Sequence, residues 1–260
     1  MLMFGSLFAG IGGIDLGLER AGMRCVWQVE IDDYATKVLE KHWPDVRRWR
    51  DVSTFPLGSV DEWRCDLIAG GFPCQDISYA GKGAGLDGER SGLWWEFARV
   101  VRALEPRFVL VENVGALLAR GIDDVLGTLA SLGYDAEWHC IPAAAVGAPH
   151  RRDRLFILAY THRIDGGFRG CGIIQDCNKT LESQVQRWAA IPVESANGLK
   201  MGWNRGAGGQ WRYEPDVGRV ADGVPSRVDR LRCLGNAVVP QVAEWIGKQI
   251  IKHAGEAMLS

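Results

Sequence analysis

Three short stretches carry side chains whose types and spacing suit group-transfer chemistry. In GGFPCQDIS, Cys74 follows a short apolar run, two glycines and Pro73. A cysteine on such a turn can attack an electron-poor carbon once it is an accessible thiolate, although cysteines at large are more often buried and inert. In RFVLVENV, Glu112 sits near the end of an apolar run expected to be a strand. A partly desolvated carboxyl there has a raised pKa and can donate a proton. In PHRRDR, Arg152 and Arg154 flank Asp153. Taken alone this run reads as a solvated cluster of charge.

A fourth stretch suits a cofactor. FAGIGGIDLG places Gly10, Gly12 and Gly13 where an expected strand ends and an expected helix begins. Glycines there let a ligand approach the backbone, and the first N–H groups of the helix offer donors. The dinucleotide pattern GxGxxG needs a third glycine at position 15, which is Asp15. A pyrophosphate beside that carboxylate is disfavoured, which counts against a nicotinamide or flavin dinucleotide. Glu30 lies 20 residues after Gly10, where an acidic residue typically binds ribose hydroxyls. A nucleoside cofactor without phosphates, such as S-adenosyl-L-methionine, fits this combination better.

The elements that must position these residues alternate along the first 160 positions. Strands are expected at 6–10, 25–32, 65–73, 107–114 and 154–160, and helices at 14–22, 33–43, 93–104 and 123–134. This rhythm predicts an α/β fold, a largely parallel Rossmann-like sheet with helices on both faces. Ligands of such sheets bind at the carboxyl ends of the strands, where Gly10, Cys74 and Glu112 all fall. The rhythm fails over 161–222, which is rich in Gly, Arg and Trp, and returns at 228–254 as a turn followed by a helix. The expected organisation is a catalytic and cofactor-binding domain over 1–160, a small lobe over 161–222, and a segment over 223–260 that returns to the first domain.

Composition narrows the class. The 260 residues are 47% hydrophobic and 24% charged, which excludes collagen-like, disordered and disulfide-scaffold proteins. Neither a transmembrane run nor a basic leader is evident, so a cytoplasmic protein is expected. Seven cysteines, an odd number, suit a reducing compartment. Cys171 and Cys177 lack a matching second pair, and no metal site is expected. The net charge of −2 is unevenly spread: residues 1–146 carry −7 and residues 147–232 carry +5. The basic portion is where a polyanion could sit.

FAGIGG, VEID, the Asp51–Val52 pair, GGFPCQ, SGLWWEF, VENV, PHRRDR and LGNAVVP occur in the order seen in the C5-cytosine DNA methyltransferases. The chain resembles a compact bacterial or phage member over roughly 4–160 and 224–250. The resemblance implies transfer of a methyl group from S-adenosyl-L-methionine to carbon 5 of a cytosine flipped out of duplex DNA. It implies that Cys74 is the nucleophile toward C6, that Glu112 is the acid at N3, and that Arg154 holds O2 with Arg152 in a supporting role. It further implies a cofactor pocket in which Phe8, Gly10 and Gly12 line the methionine and adenosine end, with Ala9 and Gly13 beside them. Glu30 would take the ribose hydroxyls, next to Ile31, and Asp51 the adenine amino group, next to Val52. Leu93 would pack near the cofactor, and Asn236 and Val238 would complete the pocket. Ser78 and Lys82, in the glycine-rich stretch 78–92, are expected phosphate contacts. The 161–222 lobe would recognise the target sequence. His150 and Asp153 depart from the glutamine and glutamate common in the family.

Three other readings stay open on these motifs. One is a tRNA cytosine-5 methyltransferase, and another a catalytically silent DNA-binding relative. The fold-level competitor is an NAD-dependent oxidoreductase, against which Asp15 counts. Of partners, the sequence suggests duplex DNA, no membrane, a monomer, and a restriction endonuclease as a functional counterpart.

Overall fold

The computed structural model describes residues 1–55, 60–73, 92–148, 152–161 and 226–256. Cys74, Ser78, Lys82 and His150 lie outside the described residues, as does nearly all of the expected 161–222 lobe.

A seven-stranded sheet forms the centre, with strand order β3-β2-β1-β4-β5-β7-β6. Its strands are β1 (Met3–Leu7), β2 (Arg24–Val29), β3 (Arg47–Trp49), β4 (Leu67–Gly70), β5 (Phe108–Val114), β6 (Tyr134–Pro142) and β7 (Asp153–Thr161). The first five pair in parallel, while β7 runs antiparallel to both β5 and β6. The helices are α1 (Gly13–Arg20), α2 (Asp33–His42), α3 (Val60–Trp63), α4 (Leu93–Leu104), α5 (Ile122–Ser131), α6 (Arg227–Asn236) and α7 (Pro240–Glu256).

Side chains of a strand alternate between faces, and β5 shows how one strand feeds two cores. Val109 and Val111 join Trp94, Phe97 and Val101 of α4 and Val125 and Leu129 of α5. Phe108 and Leu110 join Ile14 and Leu18 of α1, Leu39 of α2, and Val242, Ile246 and Ile250 of α7. The C-terminal helix thus returns to the sheet face occupied by α1.

Several expected boundaries move, each for a local reason. The first strand ends at Leu7 rather than at residue 10, because Phe8 already turns the chain with φ of 53°. The helix expected over 123–134 stops at Ser131. Gly133, at φ 86°, turns the chain, and Tyr134 opens β6, an edge strand where the sequence predicts no element because its alternation is only half-buried. β3 is too short and too charged to have stood out. The single helix expected near the C-terminus is two, separated at Ala237–Val239 and restarted by Pro240, a residue suited to the first turn.

Candidate functional site

The strand order changes direction between β1 and β4, and ligands of doubly wound sheets bind at such a point, outside the carboxyl ends of the strands. Leu7 pairs with Gly70, and Gly70 with Val111. The residues that follow these three, Phe8, Gly71 and Glu112, therefore emerge side by side along one edge. The reversed strand β7 brings its amino end to the same edge. Arg154 pairs with Val114, and Glu112 with Phe156, so Arg154 and Glu112 are diagonal neighbours on one face.

At the β1 end the backbone turns through Phe8, Gly10 and Gly12, all with positive φ. A Cβ added to Gly10 would meet no described atom within 4 Å. This glycine borders open space and leaves its backbone approachable. Gly12 and Gly13 serve packing: an added Cβ would fall 2.5 Å from the Trp43 ring at the first and 2.5 Å from the Val238 carbonyl oxygen at the second. Glu30, immediately after β2, accepts the Gly10 N–H on Oε2 at 2.7 Å and the Asp32 N–H on Oε1 at 2.8 Å. Burial pushes the Glu30 carboxyl up from its ordinary value, and the two N–H donors pull against that. A carboxylate has about four lone-pair sites, so the two oxygens that hold the turn can still accept ribose hydroxyls.

The other residues expected at the cofactor have separate surroundings. Ile31 is 65% exposed, an apolar surface next to Glu30. Asp51 caps a 3-10 turn over Val52–Thr54, with Oδ1 accepting from the Ser53 hydroxyl and N–H. The Ser53 hydroxyl, then the Ser53 N–H, hold its carboxyl below the usual range. Leu93 packs against the α4-side core. Asn236 ends α6 on the surface, and Val238 packs against the α1-side core. The structure thus brings Phe8, Ala9, Gly10, Glu30, Ile31, Gly13 and Val238 together, with Asp51–Val52 beyond the end of β3.

The β5 end is chemically different. Glu112 is 8% exposed, and its Oε1 lies 3.0 Å from Arg154 Nε. Burial raises its carboxyl to about 7, against the opposing pull of Arg154 and Arg152. Such a group exchanges its proton near neutrality, as a general acid must. Gly71 makes this placement possible, since a Cβ there would stand 2.6 Å from Glu112 Oε2. Asn113 donates from Nδ2 to the Phe72 carbonyl at 3.3 Å, tying β5 to the turn that leads into Pro73 and Cys74. Asp153, one of the family departures, opens β7 and offers its carbonyl to Arg154 Nη1 at 3.0 Å. That contact is made by the backbone and would survive a glutamate at the same position.

Sequence reading passed over several residues that shape the site. Arg50 donates to the Ile31 carbonyl, to Thr36 Oγ1 at 3.0 Å and to Asp33 Oδ1 at 2.5 Å, gathering the loop behind Glu30. Arg99 of α4 donates to the Val52 carbonyl at 2.7 Å. Arg232 of α6 pairs with Asp32, the cap of α2. None lies in a motif, and each acts across a long sequence gap. Asp15, noted only as a missing glycine, is fully buried. It accepts from Ser6 Oγ at 3.0 Å and Gln28 Nε2 at 2.8 Å beneath the glycine turn. Burial raises its carboxyl to about 6. Among the described residues no group of His, Cys, Asp or Glu could hold a metal, and no helix is long and apolar enough to cross a membrane.

Comparison with known proteins identifies the family and the fold. Residues 2–185 match the family described as C-5 cytosine-specific DNA methylase. The chain is 39% identical over 170 residues to the type II methyltransferase M.Eco47II of Escherichia coli, covering 62% of this chain and 40% of that protein. It is 38% identical over 163 residues to the type II methyltransferase M2.BsuMI of Bacillus subtilis, covering 59% and 41%. The chain thus spans about two-fifths of the length of these curated relatives. The solved structure of the Entamoeba histolytica methyltransferase EhMeth superposes with a TM-score of 0.63 over 99% of both chains, at 12% identity, a likeness of fold.

Proposed function

Because this chain belongs to the C-5 cytosine-specific DNA methylase family, we propose that it methylates carbon 5 of a cytosine in duplex DNA, with S-adenosyl-L-methionine as methyl donor. The observation that carries the reading is the Glu112 carboxyl, buried beside Arg154 and balanced near neutrality. It lies on the same sheet edge as the open Gly10 turn and Glu30.

The residues at the β1 end fit the cofactor. Gly10 leaves open space beside a carboxylate with hydrogen-bonding capacity to spare, and Ile31 offers an exposed apolar surface for an adenine face. Phe8, Ala9, Gly10, Gly12 and Gly13 would hold it through the turn. Glu30 would take its ribose and Asp51 its adenine amino group, while Val52, Leu93, Asn236 and Val238 would close the pocket. When bound, the cofactor supplies an electrophilic methyl group.

Carbon 5 of cytosine is a weak nucleophile until carbon 6 is attacked. The Cys74 thiolate adds to C6, forming a C–S bond while the C5–C6 double bond opens. Glu112 delivers its proton to N3, which makes C5 enamine-like. Arg154 stabilises the charge at O2 and keeps Glu112 oriented. Once C5 carries the methyl group, loss of its proton restores the C5–C6 double bond and expels the thiolate. The N3 proton returns to Glu112. A base stacked in a duplex cannot reach this edge, so the target nucleotide is flipped out. Ser78 and Lys82 would contact its flanking phosphates, and the 161–222 lobe would read the surrounding sequence. The enzyme would act as the protective counterpart of a restriction endonuclease, in the cytoplasm and as a monomer.

The test uses labelled S-adenosyl-L-methionine with mixed-sequence duplex DNA and, separately, tRNA, comparing wild type with Cys74→Ala. Label in 5-methylcytosine of DNA with wild type alone supports the reading. Label in tRNA alone moves the substrate to RNA. Binding to DNA without transfer to either makes the chain a silent binder, and transfer that survives Cys74→Ala sinks the covalent mechanism.

A further inference from the structure

Resting on that reading, we propose that Arg152 is a positioning residue that clamps the 237–239 turn, joining the cofactor wall to the group of side chains that handles the base. Its Nη2 donates to the Ala237 carbonyl at 2.6 Å, across 85 residues of sequence. Ala237 stands between Asn236 and Val238, the two C-terminal positions of the cofactor pocket. The other side of this turn presses on the glycine turn, where Val238 O and N come within 2.5 and 3.2 Å of the Cβ position of Gly13. One short turn therefore touches the cofactor motif through Gly13 and the base motif through Arg152.

The backbone at Arg152 is built for this reach. Its φ is 35°, in the left-handed region that non-glycine residues seldom adopt, and its carbonyl accepts the Ala143 N–H at 3.4 Å. Such a conformation persists where surrounding contacts over-determine it. Here it separates two arginines that are two positions apart. Arg154 turns to Glu112, and Arg152 reaches the C-terminal segment. Both line one small cavity with Val238, Val239 and Val242. Arg152 also contributes positive charge to the surroundings of Glu112, beside the larger contribution of Arg154. Its charge and its hydrogen-bonding geometry thus serve different ends and are separable by substitution.

Arg152→Lys keeps the charge and loses the guanidinium reach, whereas Arg152→Gln loses both. Hydrogen exchange, calorimetric binding of S-adenosyl-L-methionine without DNA, and the pH profile of methyl transfer are compared with wild type. In both variants, the amides of 237–242 should exchange faster and the Kd for S-adenosyl-L-methionine should rise about tenfold, the loss expected for one charge-assisted hydrogen bond. Only Arg152→Gln should move the Glu112-dependent limb to higher pH. A Lys variant with wild-type exchange and Kd overturns the proposal. So does faster exchange with an unchanged Kd, and in both cases the methyltransferase reading stands. A wild type that binds no S-adenosyl-L-methionine removes that reading itself. On wild type alone, nitrogen-15 spectra of the arginine side chains should show Arg152 Nη2 protons protected from exchange and shifted by the cofactor. Unprotected protons overturn the clamp without any variant.

Discussion

At the β1–β2 end of the sheet edge, Glu30 commits both oxygens to backbone N–H groups and thereby holds a turn in shape. At the β5–β7 end, Glu112 meets a guanidinium across a strand pair, buried enough to sit near neutrality. Both carboxyls are pushed up by burial, yet their partners give them different work. Backbone donors are fixed in direction and charge, so a carboxylate facing them becomes a structural strut that can also accept hydroxyls. A side-chain cation on a reversed strand stabilises the ionised form enough to keep the proton exchangeable without removing it altogether. On the proposed reading, the same residue type binds at one end and shuttles a proton at the other.

The largest expected effect tests the proton-handling end. Glu112→Gln should lower kcat for methyl transfer on the order of 10³-fold, within the range of general-acid contributions, while leaving cofactor Kd near wild type. In the wild type, the protonated acid is depleted as pH rises through about 7, so the rate should fall on that alkaline side. A variant with full activity would erase the distinction between the two ends.

Asp15 sharpens the comparison, being a carboxyl in the β1–β2 region that accepts from the neutral side chains of Ser6, Gln28 and Cys25. Its folded-state pKa, raised from 3.8 to about 6, means that the native protein holds this proton more tightly than the unfolded chain. Its contribution to stability is therefore fullest below about pH 4 and is lost as pH rises to about 6, a change of about 3 kcal/mol. Urea unfolding across that range should show the decline in wild type, and Asp15→Asn should flatten it.

The smallest effect belongs to the strut. Glu30→Ala should free the Gly10 and Asp32 N–H groups and raise the cofactor Kd about tenfold. The pH profile of the chemical step should keep its wild-type alkaline limb. Movement of that limb in titrated activity assays would mean that the two ends are not separate.

Much of this site was legible along the chain. Gly10 and Glu30 follow from a strand, a glycine turn and a 20-residue spacing, and Glu112 from an apolar run that ends in an acid. Local propensity and the periods of strand and helix act within a few residues, and they leave direct traces in composition. Arg50, Arg99 and Arg232 left no such trace, because each bonds a backbone or side-chain oxygen far away in sequence. Nor did Gly71 advertise that its missing side chain makes room for Glu112.

What the amino-acid order determined by itself was the inventory: an α/β alternation, the residue types able to do the chemistry, and their delivery to strand ends. Only the tertiary structure decided their relations. A strand's apolar pattern is the same in either direction, so nothing local dictated that β7 would run antiparallel. That reversal carries Arg154 to the edge where Glu112 ends its strand. It also leaves Arg152 facing a C-terminal turn 85 residues away. Strand direction is settled by which neighbours bury both faces of the sheet together, a property of the whole chain.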